Sequence, residues 1–464
     1  MIAENYLVIA MFLSFIALLF TGFPVAWVLA GVGIGFAGVA WLTDNVMGWT
    51  MTGLDYNTLG LLVGRIFGLM DNWVLIALPM FIFMGLMLDK SGIAERMMYS
   101  MQKLFGNVRG GLAITVAIIG IILAASTGII GASVVLLGVM SLPVMLRQKY
   151  NKSLALGTVA ASGCLGILIP PSIMLVIMGD QLSIPILDLF MGAVFPGLIL
   201  GLLYIIYILI YCKIYPEKAP LAEDHKEINL RDVLQALYDI VPPAGLILIV
   251  LGSIFMGIAT VTEASAFGAI GATLIAILYK RFSFVILKEV VIKTMNTAAY
   301  IFAIFVGATI FALVLRECGG DQLIETGLTG LGFGPNGLII FVLVIVFFLG
   351  FFLDWIEITL IILPLLAPVV ANLNLQINGF GVVDFPNLTW FAMLVAVTLQ
   401  TSFLTPPVGF ALFYLKGVCP SDVTMIDIYR GVVPFIILQL IALVLVFLFP
   451  ELVTWLPSKV FKPL

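Results

Sequence analysis

Two adjacent prolines sit inside long apolar runs twice in this chain, at GILIPPSI (166–173) and SFLTPPVGF (402–410). A proline has no N–H to give a helix, and its ring collides with the preceding turn, so a pair interrupts whatever helix contains it. In water the freed carbonyls would simply be hydrated. Here the surroundings are apolar. Of 464 residues, 62% are hydrophobic and 10% charged, where soluble domains run near 25% charged. Apolar stretches of helical length recur along the chain, which predicts an all-α polytopic membrane protein of an inner or plasma membrane rather than a barrel. The N-terminal run MIAENYLVIAMFLSF has no basic residue before its apolar core and reads as a first span, not a cleaved signal.

Charge placement gives the topology. Lys90, Arg96, Lys103 and Arg109 mark one cytoplasmic loop, and Arg147, Lys149 and Lys152 mark the next. Residues 110–146 between them carry no charge, so the segment has to enter the membrane and return to the same side. Its centre, STGIIGAS (126–133), is small and polar. That predicts a re-entrant hairpin with its tip at depth, where irregular backbone is tolerated if protein or water surrounds it. The first proline pair lies in the following outward span, 153–179, and a span at 187–212 leads back to a polar cytoplasmic linker, 213–232. From Glu317 to Leu415 there is no Lys or Arg. Within that stretch residues 337–371 form a second hairpin, entering from outside, and the second proline pair falls in the next span, 390–415. With spans near 6–20, 23–42, 73–88, 240–258, 264–279, 298–315 and 431–456, the chain divides into two inverted repeats, 1–212 and 233–464. Each holds about five spans plus a hairpin. A shift of 236 residues lays ASGCLGILIPPS (161–172) on VTLQTSFLTPPV (397–408).

Inverted-repeat transporters place their sites near the midplane, where discontinuous helices bring free backbone groups together. Carbonyls left over at a break suit a hard cation such as Na⁺, and a helix N-terminus suits a carboxylate. In the first half the expected Na⁺ shell is Ser126, Thr127, Gly128, Ser133, Gly163, Gly166 and Pro170, with Ser162 beside it. In the second half it is Gly350, Asp354, Thr401, Ser402, Thr405 and Pro406, with Thr398 nearby. Ser133, Ser172, Thr405 and Gly409 are the expected contacts to a solute. Asp354 and Glu357, three apart near the second hairpin tip, are acids at membrane depth and therefore functional candidates. Glu263 reads as a helix-start acid, and Arg316 with Glu317 as a local ion pair. The cysteines at 164, 212, 318 and 419 are expected to pack, and the only histidine, His225, lies in the linker, which argues against a metal centre.

Several classes are disfavoured. No G-x-x-x-x-G-K-[ST] occurs, which argues against an ATP-driven permease, and no histidine or G-x-G-D pattern supports an intramembrane hydrolase. A passive channel lined by the same hairpins is the competing reading.

The segments ALPMFIFMGLMLDKSGIAERM (77–97), GCLGILIPPSIMLVIMG (163–179), GIATVTEASAFGA (257–269), FFLDWIEITLIILPLLAPVV (351–370) and TSFLTPPVGFALFYLKGV (401–418) carry a resemblance that covers nearly the whole chain. It resembles the large membrane subunit of tripartite ATP-independent periplasmic (TRAP) transporters, and most of all the branch associated with mannitol, chloroaromatic and related organic-acid uptake. The resemblance implies an elevator-type ion-transporter architecture and no organic cofactor. Na⁺ would be the coupling ion and a small carboxylate the cargo. It also implies two partners: a small membrane subunit of about four helices and a periplasmic substrate-binding protein. Relatives commonly carry Gly-Ser-Ser at the first hairpin tip. This chain has Gly131-Ala132-Ser133, one hydroxyl fewer.

Overall fold

The computed structural model describes residues 2–128, 130–221 and 229–460; the side chains at 2, 56 and 124–127 lie outside that description, as does His225. Every regular element among the described residues is helical. The first half comprises α1 (Ile2–Leu19), α2 (Val25–Leu42), α3 (Tyr56–Asp71), α4 (Ala77–Lys90), α5 (Ile93–Phe105), α6 (Gly111–Thr127), α7 (Ile130–Arg147), α8 (Lys152–Cys164), α9 (Ile173–Leu182) and α10 (Ile186–Ile214). The second comprises α11 (Leu230–Phe255), α12 (Val261–Leu278), α13 (Phe284–Glu317), α14 (Gly320–Gly330) and α15 (Pro335–Leu349). It continues with α16 (Trp355–Ala371), which contains a π turn at Ile358–Ile362, then α17 (Pro386–Leu404), α18 (Phe410–Val418), α19 (Met425–Leu448) and α20 (Glu451–Val460). Nine described helices are long and apolar enough to cross a bilayer.

Contacts between elements are exchanged between the halves. Helix α2 packs on α13 while α4 packs on α12; α8 packs on α19 while α10 packs on α17. Helix α7 packs on α18, and α16 packs on α9, so the returning arm of each hairpin touches the post-proline helix of the other half. The short amphipathic helices α5 and α14, each just before a hairpin, pack on α11 and α1 respectively.

Polar contacts join the loops that the charge pattern put on the same side. On the side expected to be cytoplasmic, Lys90 lies 2.7 Å from Glu289 and Lys152 2.6 Å from Asp422. The Lys152 ammonium holds the Asp422 carboxyl below the usual carboxylate range. On the other side Asn72 donates to Asp180 at 2.6 Å.

Glycines set the tightest crossing. A Cβ on Gly157 would lie 2.0 Å from the Gly431 carbonyl oxygen, and one on Gly431 would lie 2.3 Å from that of Ser153. Helices α8 and α19 thus meet backbone to backbone, as small residues permit in a bilayer. The four cysteines are free; three are buried and Cys419 is half-buried.

Four expectations are corrected in detail. The last span does not run through 431–456: Phe449 leaves helical geometry ahead of Pro450, and the chain restarts as α20. The span expected near 298–315 extends to Phe284. Arg316 pairs with Asp321 at 3.4 Å rather than with Glu317. The fourth concerns Asp354 and Glu357, read as sharing a helix face: Asp354 is instead the N-cap that starts α16. Glu263 behaves as expected, closing a capping box with Thr260.

Candidate functional site

The proline pairs can be followed carbonyl by carbonyl. A helical carbonyl accepts from the N–H four residues on, so Pro170 and Pro171 orphan Gly166 and Ile167, and Pro406 and Pro407 orphan Ser402 and Phe403. One of each two is recaptured. The Ser172 hydroxyl donates to the Ile167 carbonyl at 2.7 Å, and the Thr405 N–H donates to that of Ser402 at 3.1 Å. Gly166, four residues before the first proline of its pair, and Phe403, four before the second proline of its pair, are left with no N–H or O–H donor among the described residues. Both Pro–Pro bonds are cis.

Hydroxyls beside the second break point back into their own backbone. Thr405 donates to the Thr401 carbonyl at 2.6 Å, Thr401 to that of Val397 at 2.8 Å, and Thr398 to that of Leu394 at 2.8 Å. Ser402 donates instead across helices, to the Phe347 carbonyl of α15 at 2.8 Å. Each hydroxyl keeps lone pairs after donating, so its oxygen remains a ligand for a cation. Gly350 is required at the same crossing, since its Cβ would lie 2.6 Å from Ser402 Oγ. Replacing Ser402 by Ala is expected to lower thermal stability by about 0.6–1 kcal/mol, typical of an interhelical hydrogen bond in a membrane; melts of the purified variant in detergent check it.

In the first half the hairpin tip is clamped between α8 and α9. Gly128 has φ +59°, and a Cβ there would approach the Ile173 amide nitrogen to 3.3 Å. Gly163 faces the first turn of α7, where a Cβ would lie 2.9 Å from Val134 Cα. Ser133, in that turn, is buried, as are Pro170 and Ser172. The Ser126 and Thr127 side chains lie outside the described ones. Ser162 Oγ and the amide of Gln400, on the two broken helices, are buried without a protein partner among the described residues. The breaks differ in access: residues 166–172 are all buried, whereas Thr405 and Pro406 are half-buried and Pro407 is exposed. Gly409, at φ +50°, opens α18 beside the Phe403 carbonyl.

Packing then joins pieces that are far apart in sequence. Asp354 caps α16 by accepting from the Trp355 N–H at 2.8 Å. Tyr300 of α13 and Tyr414 of α18 stand within electrostatic range of Asp354, and Tyr300 of Glu357 too. The same Tyr414 ring covers the first hairpin, where a Cβ on Gly131 would lie 2.9 Å from it. Glu357 is 1% exposed and its Oε2 has no donor among the described residues. Of this cluster, sequence reading found Asp354 and Glu357 and missed Tyr300 and Tyr414, because tyrosine in a membrane span carries no signal of its own. Tyr414 thus lies against the first hairpin tip and within electrostatic range of Asp354. Among the residues assigned to the first half, Gly128, Gly163 and Ser133 gather at the clamped tip, whereas Ser172 is engaged within its own break.

Two hairpins, two broken helices with freed carbonyls, and buried acids in a polytopic helical chain define a membrane carrier. The chain belongs to the tripartite ATP-independent periplasmic transporter family, DctM component, whose family model matches residues 12–452. It is similar to the sialic acid TRAP transporter large permease protein SiaM of Vibrio cholerae, 28% identical over 451 residues, covering 96% of this chain and 97% of that one. The C4-dicarboxylate TRAP transporter large permease protein DctM of Pseudomonas aeruginosa is 28% identical, with coverage of 85% and 88%. The ectoine/5-hydroxyectoine TRAP transporter large permease protein UehC of Ruegeria pomeroyi is 28% identical, with coverage of 97% and 99%. The solved Alcanivorax borkumensis YdaH transporter matches in fold alone, at a TM-score of 0.59 and 14% identity over 85% of this chain and 89% of that chain. The chain is accordingly a multi-pass permease subunit of the bacterial inner membrane, not an enzyme.

Proposed function

We propose that this permease carries a small organic acid inward, driven by Na⁺, with the two hairpins and two broken helices moving as one body against the remaining helices. What carries the reading is one freed carbonyl at each proline break, Gly166 in the first half-chain and Phe403 in the second. A hard cation is the ligand for which such oxygens are suited, and Asp354 supplies the nearby negative charge in the second half. The exchanged contacts favour 1–212 and 233–464 as inverted repeats, separated by the linker at 213–232. The relatives are named for sialic acid, C4-dicarboxylates and ectoine at the same 28% identity. Equal identity to proteins named for different solutes leaves the solute to be chosen by a few contacts and by the partner that delivers it. For those contacts we assign Ser133, Ser172, Thr405 and Gly409, near the starts of α7, α9 and α18. The partners in this reading are the small membrane subunit and a periplasmic binding protein.

The test is uptake into proteoliposomes holding this chain with its small subunit, the loaded binding protein outside. Uptake should require an inward Na⁺ gradient and the binding protein. Flux that persists without either would establish the passive channel instead. Thr405→Ala should weaken Na⁺ activation about tenfold, the scale for losing one support of a metal-binding shell; an unchanged Na⁺ dependence would remove Thr405 from the site.

A further inference from the structure

A polar cavity of about 490 Å³ lies between α5 and α11, lined in part by Glu95, Lys103 and Asp239. At its base Asp239 is 2% exposed. The Ser100 hydroxyl and the Gln235 amide (3.2 Å) both donate to its Oδ2, while Oδ1 has no donor among the described residues. Two cations stand over aromatic rings at this site. The Arg96 guanidinium lies 4.8 Å from the Tyr279 ring centroid, and Lys103 Nζ lies 4.4 Å from that of Tyr99. Two acids, Glu95 and Asp239, balance these two bases, so the cavity is neutral overall but divided. A buried carboxylate oxygen lacks a donor, and cations lie among the lining groups. The loop marked by Lys90, Arg96, Lys103 and Arg109 is cytoplasmic by its charge, and α5, with apolar and polar faces, suits the bilayer interface.

We propose that this cavity holds the headgroup of phosphatidylethanolamine from the cytoplasmic leaflet. A buried carboxylate oxygen needs an N–H or O–H donor. A primary ammonium supplies three, and a trimethylated one supplies none. Arg96 and Lys103 suit the phosphodiester, which lies two carbons from that ammonium. Helix α5, amphipathic and suited to the bilayer interface, puts the cavity at headgroup level, which favours the lipid over a free phosphoethanolamine.

Native mass spectrometry of the purified full chain, titrated in detergent with phosphatidylethanolamine, phosphatidylcholine and phosphatidylglycerol, tests the assignment. The wild-type protein should retain the ethanolamine lipid about tenfold over the other two, the value of one charge-assisted hydrogen bond. Asp239→Asn should abolish that preference. Lys103→Gln, at a cation stacked on an aromatic ring, should weaken all phosphate-bearing ligands and serves if Asp239→Asn does not fold. Equal retention of the three lipids by the wild type, a preference that survives Asp239→Asn, or undiminished lipid retention by Lys103→Gln, would overturn the proposal. Displacement of the lipid by equimolar water-soluble glycerophosphoethanolamine would also overturn it, by making the free headgroup the ligand.

Discussion

Asp354→Asn is expected to abolish Na⁺-stimulated uptake at ordinary Na⁺ concentrations while leaving the protein folded. The side chain does two things. Its carboxylate accepts the Trp355 N–H and so starts α16, and it supplies negative charge at the hairpin tip. Asparagine keeps the first role, being as good an N-cap as aspartate, and removes only the charge. No Lys or Arg lies between Glu317 and Leu415, so no neighbouring basic residue in that stretch neutralises Asp354. In the reading above the cation itself is its counter-charge. Losing it should cost about 2–3 kcal/mol of cation binding, roughly 30- to 150-fold in the Na⁺ concentration for half-maximal uptake. The readout is the Na⁺ dependence of uptake in proteoliposomes, with a melt in detergent as the folding control. Normal Na⁺ activation in a stable Asp354→Asn protein would remove the acid from the coupling site.

Gly157→Leu is expected to prevent accumulation of folded protein. The α8–α19 crossing has no space for a side chain, because the obstructing atom is the Gly431 carbonyl, which no rotamer change can move. Overpacking in a flexible core costs about 1–3 kcal/mol. Against fixed backbone on a helix that also carries the first proline break, the cost should exceed the upper value. The control is Gly35→Leu, on a lipid-facing part of α2 with nothing within 4 Å of the added Cβ. That variant should migrate and melt like the wild type on size-exclusion chromatography in detergent, whereas Gly157→Leu should appear in the void volume or not at all. A normal monodisperse peak for Gly157→Leu would mean that the crossing is looser than described.

What could be read from the sequence follows from what each signal depends on. Both breaks were legible because proline removes a donor wherever it sits, and the basic clusters grouped the loops that ion pairs join, Lys90 with Glu289 and Lys152 with Asp422. Residues 110–146 had to fold back because their flanks share a side. The helices α3, α5 and α14 were not legible. Their apolar residues are spread over one face rather than concentrated in a run, so they give no spanning signal. At the site, the acids were visible as charges in an uncharged stretch. That Tyr414 would lie against Gly131 and within electrostatic range of Asp354 depends on exchange of hairpin arms between the halves, which no local pattern encodes. The Ser172 hydroxyl donates to the Ile167 carbonyl five residues back, a contact made by the turn at the break that the sequence pattern did not show, and its oxygen keeps lone pairs for the proposed solute.

Helix α13 has 34 residues, about 50 Å of rod against a hydrocarbon layer of about 30 Å. It packs against α2 and α4, so in the moving-body reading proposed above Tyr300 of α13 stays with those helices while Asp354 travels with α16. A spin label at each of these two positions would therefore work as a ruler: one mark is ruled on a fixed post and the other on a sliding cursor. The spread of distances in a single sample would report how many stopping points the carriage has.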